Sequence, residues 1–380
     1  MHPRYLQPFV EADLARKMVF LGGPRQSGKT TLARTILGEA AGYYTWDLDE
    51  DRRDILAKRW DPRTSLLVFD ELHKHRKWKN WLKGVFDTQR DEHRILVTGS
   101  ARLDLYRRGG DSLLGRYHYW RLHPFTLSEL PKGMSPEVAL ERLLTVGGFP
   151  EPFLDGDERQ AKRWRRERFD RVLRDDIRDL EPIREIQTMA LFVDALRSRV
   201  GSPVVLAHIA EDLQVAAKTL KHWLEVLERM YVVFVVRPLT RMIPRAIQKP
   251  PKVYFFDTGD VLGDEGARFE NLVATHLLKR LHFLEDRDGD RYSLSYVRDK
   301  EGREVDFAVE KDRHLQALVE VKWSDREVAR PLTYYAERLQ PKVAQQIVCR
   351  LSRPYRQGRL EVLGGVDALQ SLEPWDSSVQ

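Results

Sequence analysis

Apolar runs of four to six residues set the rhythm of the first third of the chain. They fall at Met18–Leu21, Tyr43–Leu48, Leu66–Phe69, Arg94–Thr98 and Tyr117–Leu122, separated by stretches with helical spacing. Short apolar runs suit strands buried on both faces, and their alternation with helices up to about residue 124 predicts a parallel α/β sheet. From Leu127 to about Leu196 the strand pattern stops. After a turn-rich PKGMSPE and a sharp bend at Gly147-Gly148-Phe149-Pro150, Phe169, Val172, Leu173, Ile177 and Leu180 recur at helical spacing. Pro203 to Tyr254 reads as a short helix, a turn near Gln214-Val215, a longer helix with Leu220, Trp223, Leu224 and Leu227 on one face, and a β-wing. The last segment, from Asp264, returns to helix and alternating strands. There is no internal repeat and no low-complexity stretch.

Composition narrows the class. A chain of 380 residues, 42% hydrophobic, is long enough for roughly two or three domains with real cores. Lys+Arg of 64 against Asp+Glu of 58 leaves a formal charge of +6, compatible with a nucleic-acid partner but too diluted by acids to establish one. The single cysteine, Cys349, excludes an intrachain disulfide framework and a cysteine-based zinc site. No signal-peptide-like segment and no run of 18 apolar residues is present, so the expectation is a cytoplasmic protein with no membrane partner.

Chemistry enters at VFLGGPRQSGKTTL, Val19 to Leu32. Gly23, Gly28, Lys29 and Thr30 fit the phosphate-binding spacing G-x-x-x-x-G-K-[ST], in which backbone N–H groups at a helix N-terminus cradle phosphates. Gln26, Ser27 and Thr31 complete the expected nucleotide-binding set. Lys29 is expected to reach the β- and γ-phosphates of ATP, and the Thr30 hydroxyl to sit on Mg²⁺. The third run, SLLVFDELHK, ends in Asp70 and Glu71 at the carboxyl edge of the sheet, where open α/β folds bind ligands. Asp70 is expected to hold Mg²⁺ through water and Glu71 to act as general base. The fourth run ends in Thr98-Gly99-Ser100, where a polar residue could orient the attacking water.

Two further constellations lie downstream. Lys218, Lys221 and His222 sit off the apolar stripe of the longer helix and are the candidate nucleic-acid contacts. Arg159 to Arg178 holds nine Lys+Arg and four Asp+Glu, either a phosphate-tracking surface or a charge-laced solvated helix. Near the C-terminus, Asp306 on one strand and Glu320-x-Lys322 on the next resemble a PD-(D/E)xK nuclease core. Two carboxylates would bind a divalent metal, with Glu270 completing its shell and Lys322 positioning the nucleophile. Mg²⁺ is the expected ion, with Mn²⁺ as an alternative.

Walker A, DE, TGSAR, GR and PFTLSEL, in this order, resemble a group of compact bacterial and archaeal AAA+ ATPases. GGFPEPFL, KVYFFDTGDV, ARFENLV, REVDFAV and LVEVKWS extend the resemblance over nearly the whole chain. It implies an AAA+ P-loop ATPase core over residues 1–126, a helical lid over 127–196, a winged helix-turn-helix over 197–263 and an α/β PD-(D/E)xK nuclease-like domain over 264–380. By the same resemblance Ser100 is the sensor residue. Arg116 takes the place of the arginine finger, with Arg102, Arg107 and Arg108 as neighbouring candidates. The implied protein is a homo-oligomer, favoured as a hexamer, that processes DNA with ATP. Two other readings stay open: an ATP-switched DNA-binding regulator or loader with an inactive nuclease fold, and a signalling or defence NTPase acting on RNA or protein.

Overall fold

The structure, a computed structural model, describes residues 4–37, 41–99, 103, 113–177, 185–239, 250–324 and 327–370. Two compact units divide the chain, Met1–Pro124 and Phe125–Gln380. The first is built on β1 (Met18–Gly22), β2 (Ala41–Thr45), β3 (Leu66–Asp70), β4 (Arg94–Thr98) and β5 (Tyr117–Arg121), all parallel in the order β2-β3-β4-β1-β5. Every residue of β1 is buried, as expected of a central strand covered on both faces. Helices α1 (Gln7–Leu14), α2 (Lys29–Leu37), α3 (Asp49–Ala57) and α4 (Trp78–Gln89) accompany the sheet. On α4, Trp78, Leu82 and Val85 form the buried stripe that joins Phe20, Leu67, Phe69 and Val97 in one core. The second strand ends earlier than its apolar run: Leu48, half exposed, is the N-cap of α3, and its neighbours Asp49, Glu50 and Asp51 fill the helix's first turn.

The second unit opens with helices α5 (Pro136–Thr145), α6 (Pro150–Asp155), α7 (Glu158–Arg171), followed by a π-helical turn at Val172–Ile177, and α8 (Ile186–Arg197). The GGFP and FFDTGD segments, far apart in sequence, meet here. Gly147 has φ +83, and a Cβ on it would lie 1.8 Å from Asp257 Oδ1, so only glycine fits. Arg165 Nε lies 3.9 Å from Asp257 Oδ2, and the Arg168 guanidinium sits 3.9 Å from the centre of the Phe149 ring. Burial, with Asp260 nearby, pushes the Asp257 carboxyl up to about 6.

Helices α9 (Leu206–Leu213) and α10 (Ala217–Arg229) follow, joined by a turn in which Gln214 is left-handed. The hairpin β6 (Val233–Pro238) and β7 (Lys252–Phe255) then joins the long sheet of the chain's last third. That sheet has eight strands in the order β12-β13-β11-β10-β9-β8-β6-β7. They are β8 (Tyr292–Arg298), β9 (Glu304–Lys311), β10 (His314–Ser324), β11 (Val343–Arg350), β12 (Tyr355–Gln357) and β13 (Leu360–Gly364), with β6 parallel to β8. Helix α11 (Glu265–Asp288) packs against β7, β8 and β10, capped by the Asp264 carboxylate and stopped by left-handed Gly289. Helix α12 (Arg330–Leu339) packs against β9 and β10, and α13 (Gly365–Leu369) follows β13.

The PFTLSEL segment belongs to this unit from Phe125 onward. Its Leu127 N–H donates to His276 Nε2 on α11 at 3.0 Å, and its buried Glu129 pairs with Lys279. Among the described residues no helix is long and apolar enough to cross a membrane.

Candidate functional site

The loop between β1 and α2 has the backbone of an anion cradle. Gly23 (φ +131), Gln26 (φ +65) and Gly28 (φ +93) take conformations that turn successive N–H groups inward ahead of the helix N-terminus. A Cβ on Gly23 would lie 2.4 Å from the Leu122 carbonyl oxygen. Lys29 is buried at the start of α2, its ammonium donating to the carbonyls of Gly23 at 3.1 Å and Pro24 at 2.7 Å. Ser27 Oγ and Gln26 Oε1 are buried without a hydrogen-bond partner among the described residues, and the Ser27 hydroxyl is a donor that a phosphate oxygen would satisfy. Thr31, one residue beyond Thr30 on α2, is exposed.

Asp70 is the hub of the carboxyl edge. Because β4 lies between β1 and β3, the ends of all three strands face one spot. There Asp70 Oδ1 accepts from Thr98 Oγ1 at 2.5 Å, and Oδ2 accepts from Tyr43 OH at 2.5 Å and Thr30 Oγ1 at 3.3 Å. Burial, then the Asp70 contact, raises the Tyr43 phenol above its usual range, so it stays a donor. A hydroxyl and a carboxylate at this separation form the oxygen set that Mg²⁺ on a nucleotide takes, and the residues present fit such a ligand.

Glu71 is held left-handed (φ +56), with its N–H on the Thr98 carbonyl at 2.9 Å and its Oε2 3.5 Å from both His73 Nε2 and Lys74 Nζ. A non-glycine residue in this conformation is strained and is found where the backbone aims a side chain. Ser100, with Arg102, Arg107 and Arg108, lies outside the described residues. Arg116 is described, and it grips Asp87 on α4 with two hydrogen bonds of 2.8 and 3.1 Å.

In the second unit, Lys218, Lys221 and His222 are all exposed on α10, opposite buried Leu220, Trp223, Leu224 and Leu227. The basic helix α7 is mixed. Arg165 and Arg168 are buried in the Asp257 and Phe149 contacts, whereas Arg159, Lys162, Arg163 and Arg166 are exposed.

The third constellation converges around a lysine. Asp306 and Glu320 sit where β9 and β10 stop pairing, the Asp306 Oδ2 accepting from Val321 N at 2.9 Å. Lys322 Nζ lies 2.6 Å from Glu320 Oε1. Asp306 Oδ1 is also 3.3 Å from Lys252 Nζ, which stands 3.2 Å from Glu270 Oε1 and 2.8 Å from Glu304 Oε1. Tyr254 OH donates to Glu270 Oε1 at 2.6 Å. Burial, reinforced by Asp306, pushes Glu270 up to about 7 and Glu320 up to about 8. Among the described residues no three acidic, histidine or cysteine side chains are grouped to hold a metal ion.

Comparison with known proteins places part of this geometry. The fold is similar to a Walker-type ATPase of Pyrococcus abyssi (17% identity, TM-score 0.40, covering 62% of this chain and 91% of that one). It is also similar to the Aeropyrum pernix ORC1 protein in complex with DNA (14%, TM-score 0.30, 74% and 94%). A third likeness is to a signal transduction ATPase with numerous domains, with a tetratricopeptide repeat sensor, from Pyrococcus horikoshii (14%, TM-score 0.29, 75% and 48%). Uncharacterized proteins of Mycobacterium bovis and Mycobacterium tuberculosis are each 29% identical over 246 residues, 64% of this chain and 54% of theirs. The chain therefore spans about half the length of the curated relatives it matches. Residues 137–261 and 265–364 match two models described as domains of unknown function (DUF8612 and DUF4143). Residues 15–131 match the family model described as an AAA domain. This part of the chain is a P-loop AAA domain.

Several residues of the AAA domain's site escape a reading of the sequence. Thr98 and Tyr43 reach Asp70 from neighbouring strands, which only the strand order reveals. Buried Arg4 donates to the Ser27 carbonyl at 2.7 Å and the His123 carbonyl at 2.6 Å, bracing the loop from behind. No local signal marks Arg4, because both partners are remote in sequence. Lys252 and Glu304 in the second unit are hidden for the same reason.

Proposed function

We propose that the protein is an ATP-hydrolysing switch that binds DNA, its AAA domain working in a homo-oligomer, most naturally a hexamer. The observation that carries the reading is the convergence of Thr30, Thr98 and Tyr43 on Asp70 beside the cradle that ends in Lys29. Thr30 and Asp70 would hold Mg²⁺ there, and the ion would supply neutralisation of the charge on the phosphates. Lys29 would leave the loop carbonyls for the phosphates, and Glu71 would take the proton of the attacking water. Thr98 keeps the Asp70 carboxylate turned toward that spot. Residues 127–196 are read as the helical lid, and α9, α10 and the β6–β7 hairpin as a winged helix whose Lys218, Lys221 and His222 face the nucleic acid.

The test separates binding from turnover. Lys29→Ala should lose ATP binding, while Glu71→Gln should bind ATP and hydrolyse it at least ~100-fold more slowly. Wild-type turnover in Glu71→Gln would remove the general base from this reading. Stimulation of ATPase activity by DNA, compared with RNA, tests the partner.

A further inference from the structure

Lys252 is a fully enclosed charge in the second unit. Its side chain is 0% exposed, yet it carries an ammonium into the middle of three carboxylates. Glu270 comes from α11, Glu304 and Asp306 from β9, and Lys252 itself from β7 of the hairpin. Their oxygens stand 2.8 to 3.3 Å from Nζ, which is hydrogen-bonding range for an ammonium. The ring of Tyr296 lies 5.6 Å from the same nitrogen.

A divalent ion has different needs. Mg²⁺ takes oxygens at about 2.0–2.1 Å in near-octahedral geometry and retains several waters. Here both oxygens of Asp306 are already taken, Oδ1 by Lys252 and Oδ2 by the Val321 N–H. Glu320 Oε1 is held by Lys322, and Glu304 Oε2 by Arg298 at 3.0 Å. Four acids, Glu270, Glu304, Asp306 and Glu320, thus face three fixed cations, Lys252, Lys322 and Arg298. A double charge added beside the buried ammonium would be repelled by it at close range. Of these four acids' oxygens, Glu320 Oε2 is the one buried without a partner among the described residues, and one oxygen does not make a metal site.

Beyond the ATP-dependent reading above, we infer that Lys252 is the resident cation of this cluster in place of a divalent metal. The cluster is an electrostatic clasp that fastens the β6–β7 hairpin to α11 and β9. Asp306, Glu320 and Lys322 then serve the clasp and its surroundings rather than metal-dependent cleavage.

The test is Mn²⁺ binding to the full chain without nucleotide, counted by the electron paramagnetic resonance of free Mn²⁺, with thermal unfolding in parallel. The wild type should show no Mn²⁺ binding that Asp306→Asn removes, and no Mn²⁺-dependent cutting of DNA or RNA. Lys252→Met leaves three carboxylates without their ammonium. It should melt lower than wild type and regain stability with Mn²⁺, binding the ion at least ~10-fold more tightly, a gain cancelled by Asp306→Asn. If Lys252→Met does not fold, Lys252→Met combined with Glu304→Gln lowers the excess negative charge. That variant should fold without metal and still bind Mn²⁺ more tightly than wild type. Wild-type Mn²⁺ binding or cleavage that disappears in Asp306→Asn overturns the inference. So does a Lys252→Met protein whose melting neither falls nor responds to Mn²⁺. None of these readings depends on ATP hydrolysis or DNA affinity, so they fail or succeed apart from the proposed function.

Discussion

Arg116 and Asp87 form a two-pronged pair at the amino end of β5, whereas the P-loop leaves the carboxyl end of its neighbour β1. The register makes the separation explicit, since Met18 pairs with Tyr117 and Gly22 with Arg121. One strand of this length spans about 16 Å at ~3.3 Å per residue, so Arg116 cannot serve the nucleotide of its own subunit. A finger on that edge would have to act on a neighbouring subunit.

Arg116→Ala is therefore expected to keep ATP affinity and to lose turnover by a factor on the order of 10³, the lower end for a lost arginine finger. Adding subunits that carry Lys29→Ala but retain Arg116 should restore part of the rate. Full ATPase activity from a strictly monomeric protein, measured by sedimentation alongside turnover, would sink the idea.

For the nucleic-acid face, phosphate contacts release counterions, and each accounts for about 0.9 of the slope of log affinity against log salt. Lys218→Glu with Lys221→Glu should weaken binding to every DNA sequence tried and flatten that slope by about 2. An unchanged salt titration would move the contact to the exposed arginines of α7.

Gly147 offers a stability test. Alanine there meets both an unfavourable left-handed backbone and the Asp257 carboxylate, so Gly147→Ala should cost at least about 2 kcal/mol in denaturant unfolding. Gly133 is also left-handed (φ +84), but a Cβ on it would meet nothing within 4 Å, so Gly133→Ala should cost only the backbone part. Equal losses in the two variants would mean that the Asp257 contact contributes nothing.

His276 should write itself into the pH dependence. Burial, opposed only in part by its hydrogen bond to the Leu272 carbonyl, lowers its pKa to about 3 from the ordinary 6.5. Between those values the unfolded chain binds a proton that the folded chain refuses. Stability from this group is complete above pH 6.5 and declines as pH falls toward 3, by about 1.4 kcal/mol per unit. His276→Gln should fold less stably at pH 7 and show a shallower loss in acid, read from unfolding curves between pH 4 and 7.

The strands of the AAA domain were legible because each is buried on both faces and so reads as an uninterrupted apolar run. Asp70 and Thr30 were legible too, since strand ends and loop spacing place them without any knowledge of neighbours. What stayed hidden depends on which strands lie side by side. Thr98 is an ordinary threonine until β4 is inserted between β1 and β3, and Lys252 looks like a surface lysine until β7 lies against α11 and β9. The GGFP and FFDTGD segments stood out as a resemblance, but their physical tie, a glycine yielding its Cβ space to an aspartate 110 positions later, required the fold.

The union of β6 with β8 also decides how this protein can be taken apart. Severing the chain near residue 264 would leave the hairpin as a two-stranded ribbon, which is marginal in water. The remaining fragment would present β8 as a bare edge open to any passing strand. Fragments for biophysical work are better cut after Pro124, where the compact units divide, than at the point where a helix-turn-helix reader of sequence would choose.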